Sequence, residues 1–112
     1  MGYDLYVVTD EKIGRGRSHA ELARQAVAGG ADAVQLRDKN LSGRDLFAAA
    51  LAIREITSDA GALFIVNDRL DVALAAGADG VHLGAGDLPI GRARRIAPPG
   101  FIIGASVGST AT

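Results

Sequence analysis

The sequence predicts an α/β fold built on a parallel sheet of about five β-α units, and three observations carry that expectation. Short apolar runs alternate with longer stretches of helical spacing along the whole chain. Glycine or proline marks most of the joints between them. Polar residues suited to binding sit just past four successive apolar runs: Gln35, Arg37 and Lys39; Asn67 and Asp68; Asp87; and Ser106. Parallel strands bring such positions to one edge of a sheet, where α/β proteins build their ligand sites.

The elements follow in order. Leu5 to Val8 is a short buried strand ending in Thr9-Asp10-Glu11. Ser18 with Glu21 forms a capping box, and Leu22, Ala23, Ala26 and Val27 recur at helical spacing until Gly29-Gly30. Ala33 to Arg37 is the second strand. Ser42 with Asp45 opens a longer helix whose apolar stripe is Leu46, Ala49, Ala50 and Ile53, and Gly61 ends it. Leu63 to Val66 is the third strand. Asn67 or Asp68 can cap a third helix through Leu70, Ala73 and Leu74 to Gly77. Gly80 to Leu83 is the fourth strand, Pro89 suits the first turn of a fourth helix carrying Ala93 and Ile96, and Phe101 to Ala105 is the fifth strand.

With 112 residues, the chain is expected to be one domain, 1–112. A net charge of -1 provides no global field for nucleic acid or an acidic membrane surface. The absence of cysteine excludes disulfides and thiolate-held metals. Leu5 to Val8 is too short for a signal peptide or a membrane span, so a soluble, cytoplasmic protein is expected.

Gly30-Ala31-Asp32-Ala33-Val34-Gln35-Leu36 returns as Gly77-Ala78-Asp79-Gly80-Val81-His82-Leu83, a shift of 77 - 30 = 47 residues, or two β-α units. Two architectures accommodate the pattern: a doubly wound, flavodoxin-like sheet or part of a (β/α)8 TIM barrel, which needs roughly 250 residues in full. Gln35 and Arg37 share one strand face and Val34 and Leu36 the other, while His82 opposes Val81 and Leu83. A doubly wound sheet is apolar on both faces, whereas polar inward positions are ordinary near a barrel mouth. The partial barrel is therefore favoured.

Gln35-Leu36-Arg37-Asp38-Lys39, Phe64-Ile65-Val66-Asn67-Asp68-Arg69, Gly77 to Gly84, Asp87-Leu88-Pro89 and Ile103-Gly104-Ala105-Ser106 resemble, in order and spacing, the motifs of the thiamine-phosphate synthase family. The resemblance covers the N-terminal half or so of a family member. It implies a transferase of thiamine biosynthesis that condenses hydroxymethylpyrimidine diphosphate with thiazole phosphate, giving thiamine phosphate and pyrophosphate. By motif, Asp68 and Asp87 would bind Mg²⁺; Arg37, Lys39, Asn67 and Ser106 would hold the pyrophosphate; Gln35 would contact the pyrimidine. In such enzymes the pyrimidine leaves as a stabilised carbocation that the thiazole nitrogen captures. Positioning and charge screening then do the catalysis, with no covalent nucleophile.

Plainer readings stand beside these. Asp68 and Asp87 also read as helix caps, Asn67 as a turn residue, Arg37 and Lys39 as solvated charges, and Ser106 as loop material. His82 reads as a core histidine, His19 as an exposed residue of a first helical turn, and Arg92, Arg94 and Arg95 as a solvated face. Ala85-Gly86 replaces the family's frequent Gln-Glu, and Gly108 stands where many members, and the related thiazole tautomerases, have histidine. Gly108 together with Asn67, Asp68 and Asp87 favours the synthase over the tautomerase. A phosphoacceptor receiver domain is the other alternative, with Asp10, Glu11 and Asp68 as its acidic pocket. Strand order separates the two: 1-2-3-4-5 for the barrel, 2-1-3-4-5 for the receiver. In the family the remaining phosphate contacts lie beyond the position of Thr112. An isolated chain of this length is therefore expected to be inactive or impaired, and to self-associate or require a second half. A non-catalytic association module remains a third reading.

Overall fold

The computed structural model describes residues 6–10, 18–84 and 87–105. Its elements are β1 (Tyr6–Thr9), α1 (His19–Ala28), β2 (Ala33–Leu36), α2 (Gly43–Ala60), β3 (Leu63–Asn67), α3 (Leu70–Ala76), β4 (Gly80–Leu83), α4 (Ile90–Ile96) and β5 (Ile102–Ala105). The strands form one parallel sheet in the order β1-β2-β3-β4-β5. Sequential order is that of a β/α barrel and excludes the receiver arrangement. Among the described residues no helix is long and apolar enough to cross a membrane.

One face of the sheet is closed by helices. Val34, Leu36, Phe64, Val66, Val81 and Leu83 pack in a single core with Leu46, Ala50 and Ile53 of α2 and Ala73 of α3. The opposite face carries the alternate residues, in the register Val8, Gln35, Ile65, Gly80, Ile102 across the five strands. At its two edges that inner face is open: Tyr6, Val8 and Ile102 are 46%, 43% and 39% exposed.

Two helix starts form as their sequences dictate. The Ser18 hydroxyl accepts from the Glu21 amide and that of Ser42 from the Asp45 amide, both at 3.1 Å, each such cap contributing about 1 kcal/mol. Gly61 and Gly77 end α2 and α3 at φ 71° and 72°, a region costly for a residue with a Cβ. The 47-residue echo is a repeated joint. The carbonyl of Asp32, just before β2, accepts the first amide of β3 at 2.9 Å, and that of Asp79, just before β4, accepts the first amide of β5 at 2.9 Å.

Four expectations are corrected. The first strand is not buried: Tyr6 and Val8 of β1 are exposed on the inner face, and of its four residues Thr9 is the one fully buried. Neither Asn67 nor Asp68 caps α3: Asn67 is the last residue of β3, Asp68 turns the chain at φ 70°, and Arg69 occupies the cap without a side-chain bond. Pro89 precedes α4 instead of lying in its first turn, because its ψ of 142° is extended. His19 is not at the surface; at 2% exposure it is buried, bonded through both ring nitrogens to Thr9 and Asp38.

Candidate functional site

Parallel pairing brings the polar residues to the carboxyl edge of the sheet. Gln35 projects from β2 onto the inner face and is 6% exposed. Its amide meets that of Asn67, from the end of β3, at 2.9 Å, and its other end is hydrogen-bonded to the Tyr6 hydroxyl on β1. Donors and acceptors match throughout when both amides turn together: the Asn67 nitrogen then faces the carboxylate of Asp68, 3.1 and 3.0 Å from its two oxygens, the Gln35 nitrogen donates to the Asn67 oxygen, and the Gln35 oxygen accepts from the Tyr6 hydroxyl. The reverse orientation sets an amide oxygen against a carboxylate, two acceptors with no proton between them. Tyr6, Gln35, Asn67 and Asp68 thus form one hydrogen-bonded row across three strands.

Asp68 and Asp87 flank Gly84: a Cβ there would lie 3.9 and 3.1 Å from their respective oxygens. The Gly84 amide donates to Asp87 at 2.6 Å. Burial, then the adjacent Asp87, push the Asp68 carboxyl above the usual aspartate range. The hydrogen bond from Asp68 in turn holds Asp87 below it, helped by the Gly84 amide and the charges of Lys39 and His82. The two acids titrate as a pair, with Asp87 ionising before Asp68 as pH rises. Lys39 lies on the β2–α2 loop with Nζ 3.5 Å from Asp68. Arg37, at the start of that loop, donates to Asp10 at 2.8 Å, so Asp10 serves as its partner, unlike the acidic-pocket role it would have in a receiver. Ser106 lies outside the described residues.

A cavity of about 360 Å³ opens on the inner face, lined by Tyr6, Gln35, Ile65, His82, Ile102 and Gly104 among others. That volume falls among small-ligand pockets, and its walls are apolar apart from a few polar groups. His82 is half-buried on the cavity wall, its Nδ1 only 3.1 Å from where a Cβ on Gly104 would stand. By sequence alone His82 reads as a core residue, and Tyr6 is not marked as a site residue. The alternation around Val81 and Leu83 was a signal for His82; Tyr6 had none until the register of β1 on β2 was known.

The family model for thiamine monophosphate synthase matches residues 5–112. The chain is 81% identical over 111 residues to thiamine-phosphate synthase of Methanoculleus marisnigri, covering 99% of this chain and 53% of that one. To the enzyme of the same name from Methanoregula boonei it is 65% identical over 109 residues, covering 97% and 50%. A solved structure, thiamine phosphate pyrophosphorylase from Pyrococcus furiosus, superposes with a TM-score of 0.85 at 48% identity, covering 92% of this chain and 49% of that one. The chain therefore spans about half the length of the curated relatives it matches. With its sequential sheet and its row of polar residues at the carboxyl edge, it belongs to the thiamine monophosphate synthase family.

Proposed function

We propose that this chain carries the metal and pyrimidine-diphosphate side of a thiamine-phosphate synthase, which condenses hydroxymethylpyrimidine diphosphate with thiazole phosphate and releases pyrophosphate. The observation that carries the reading is the convergence of Asp68, Asp87, Lys39, Asn67 and Gln35 at one edge of the sheet. The donor set suits Mg²⁺: two hard carboxylates side by side, with no cluster of three metal-binding side chains among the described residues. Such a site leaves coordination positions for phosphate oxygens and water. Bound there, Mg²⁺ would neutralise charge on the departing pyrophosphate. Arg37 and Lys39 add cationic donors to the same oxygens, and Ser106 is proposed to join them. Gln35 uses one donor and one acceptor in its bonds to Asn67 and Tyr6 and keeps one of each, the pair that a ring nitrogen and amino group of an aminopyrimidine would take.

The half-exposed Tyr6, Val8 and Ile102 on the inner face support a sheet covered by further chain or by another copy of itself. Cytoplasmic residence is proposed with the biosynthetic role. The test is thiamine phosphate formation by the whole protein containing this chain, supplied with both substrates. Mg²⁺-dependent product with equimolar pyrophosphate is expected. A folded protein that makes none overturns the reading.

A further inference from the structure

Three polar side chains lie buried where the end of β1, the start of α1 and the β2–α2 loop meet. Thr9 is fully buried and His19 nearly so, and the Asp38 side chain is 8% exposed. His19 Nδ1 lies 2.9 Å from Thr9 Oγ1, and Nε2 lies 2.9 Å from Asp38 Oδ2. A carboxylate offers only acceptors, so Nε2 carries the proton in that contact. The other oxygen of Asp38 accepts from the Asn40 and Leu41 amides at 2.8 and 3.2 Å. The loop is therefore wound around one carboxylate, and the imidazole of α1 holds that carboxylate in place. The same strand end ties the loop twice more: the Arg37 amide donates to the Thr9 carbonyl at 3.1 Å, and its guanidinium to Asp10 at 2.8 Å.

Apolar side chains of similar volume would fill this space without desolvating a carboxylate and an imidazole. They would not anchor Asp38. The anchored stretch begins at Arg37 and includes Lys39, whose ammonium reaches Asp68. We propose that His19 is a positioning residue for pyrophosphate: through Nε2 it fixes Asp38, and with it the loop that presents Arg37 and Lys39. It touches neither ligand nor metal. The inference rests on the assignment of Arg37 and Lys39 to pyrophosphate made above.

The test uses the whole protein with His19→Leu, which removes the donor, and His19→Gln, whose amide can replace it. Affinity for magnesium pyrophosphate, thermal unfolding, and hydrogen exchange at the Asn40 and Leu41 amides are measured on each. His19→Leu should weaken pyrophosphate binding about tenfold, the scale of lost supporting contacts around a site, and should speed exchange at both amides. KM for the pyrimidine diphosphate should rise more than KM for the thiazole phosphate. His19→Gln should restore binding and exchange protection. A folded His19→Leu protein with unchanged binding and exchange overturns the proposal, as does a folded His19→Gln protein as impaired as His19→Leu. Should His19→Leu fail to fold, Asp38→Ala cuts the same link from the loop side, and unchanged affinity there is equally fatal. If the unaltered protein binds no magnesium pyrophosphate, the functional reading fails by itself and takes the ligand role of His19 with it. Exchange at Asn40 and Leu41 still decides separately whether His19 orders the loop.

Discussion

The ammonium of Lys39 stands 3.5 Å from the carboxylate of Asp68, joining the β2–α2 loop to the end of β3 across the mouth of the sheet. Lys39 is largely exposed, so the contact adds little to folding. It sets a cation beside the acid pair.

Lys39→Ala and Arg37→Ala should each weaken pyrophosphate binding by about 1.5 to 3 kcal/mol, the range for hydrogen bonds to charged groups. Unfolding free energy should change by under about 1 kcal/mol, as for exposed ion pairs. Calorimetric titration beside thermal melts separates the two effects. An Arg37→Ala protein that unfolds would make the Asp10 contact structural.

Asp68→Asn and Asp87→Asn should each reduce magnesium-dependent pyrophosphate affinity more than about tenfold, since each removes a hard anionic ligand at nearly constant shape. The raised Asp68 carboxyl adds a pH dependence. Burial and Asp87 raise Asp68, so its protonated form persists above the ordinary aspartate range and must be displaced on metal binding. Affinity should therefore fall as pH drops toward that range, with proton uptake by buffer on titration. Unchanged binding in both variants would remove the metal assignment.

Asp38 predicts an acid-sensitive element of stability. Burial opposes its ionisation, but the bonds from His19 and from the Asn40 and Leu41 amides outweigh burial and hold its carboxyl below the ordinary value of 3.8. A lowered folded-state value means that the stabilisation is fully present above the unfolded-state value and is lost as pH falls through the folded one. Asp38→Asn should therefore flatten the loss of stability below about pH 4, where an unperturbed aspartate begins to protonate. Denaturant melts at pH 3 and pH 6 check this, and parallel losses in both proteins would refute it.

Gly80 and Gly91 should respond oppositely to alanine. A Cβ on Gly80 would lie 2.5 Å from the Ile102 carbonyl oxygen and 2.6 Å from the Ile102 Cβ, so β4 and β5 could not keep their spacing; a cost of about 1 to 3 kcal/mol is expected. At Gly91 in α4 the space is empty, and alanine should add about 0.5 kcal/mol through helix propensity. Melting temperatures of the two variants decide it.

The sheet and its sidedness were legible because they depend on local pattern: Gln35 and Arg37 against Val34 and Leu36 is an alternation that any parallel strand must resolve. The gathering of Lys39, Asn67, Asp68 and Asp87 followed from their places just past successive strands. The role of Asp68 at the head of α3 was not legible, since an aspartate before a helix has the same sequence signature whether its carboxylate turns to the helix amides or to a neighbouring side chain. Burial of His19 was hidden for another reason. Its partners Thr9 and Asp38 lie 10 and 19 positions away, and no periodicity within one element reports contacts made between elements.

The φ of 70° at Asp68 is the one left-handed backbone among the described non-glycine residues. That geometry costs an L-residue about 1 kcal/mol or more, and the residue also faces the negative charge of Asp87. Glycine or asparagine would relieve both. A screen that rewards heat tolerance alone would thus be drawn to this position early and would discard the carboxylate proposed above to hold the metal. Directed evolution of this fold for robustness should carry a ligand-binding selection in the same round, so that survivors cannot gain their melting temperature by vacating the site.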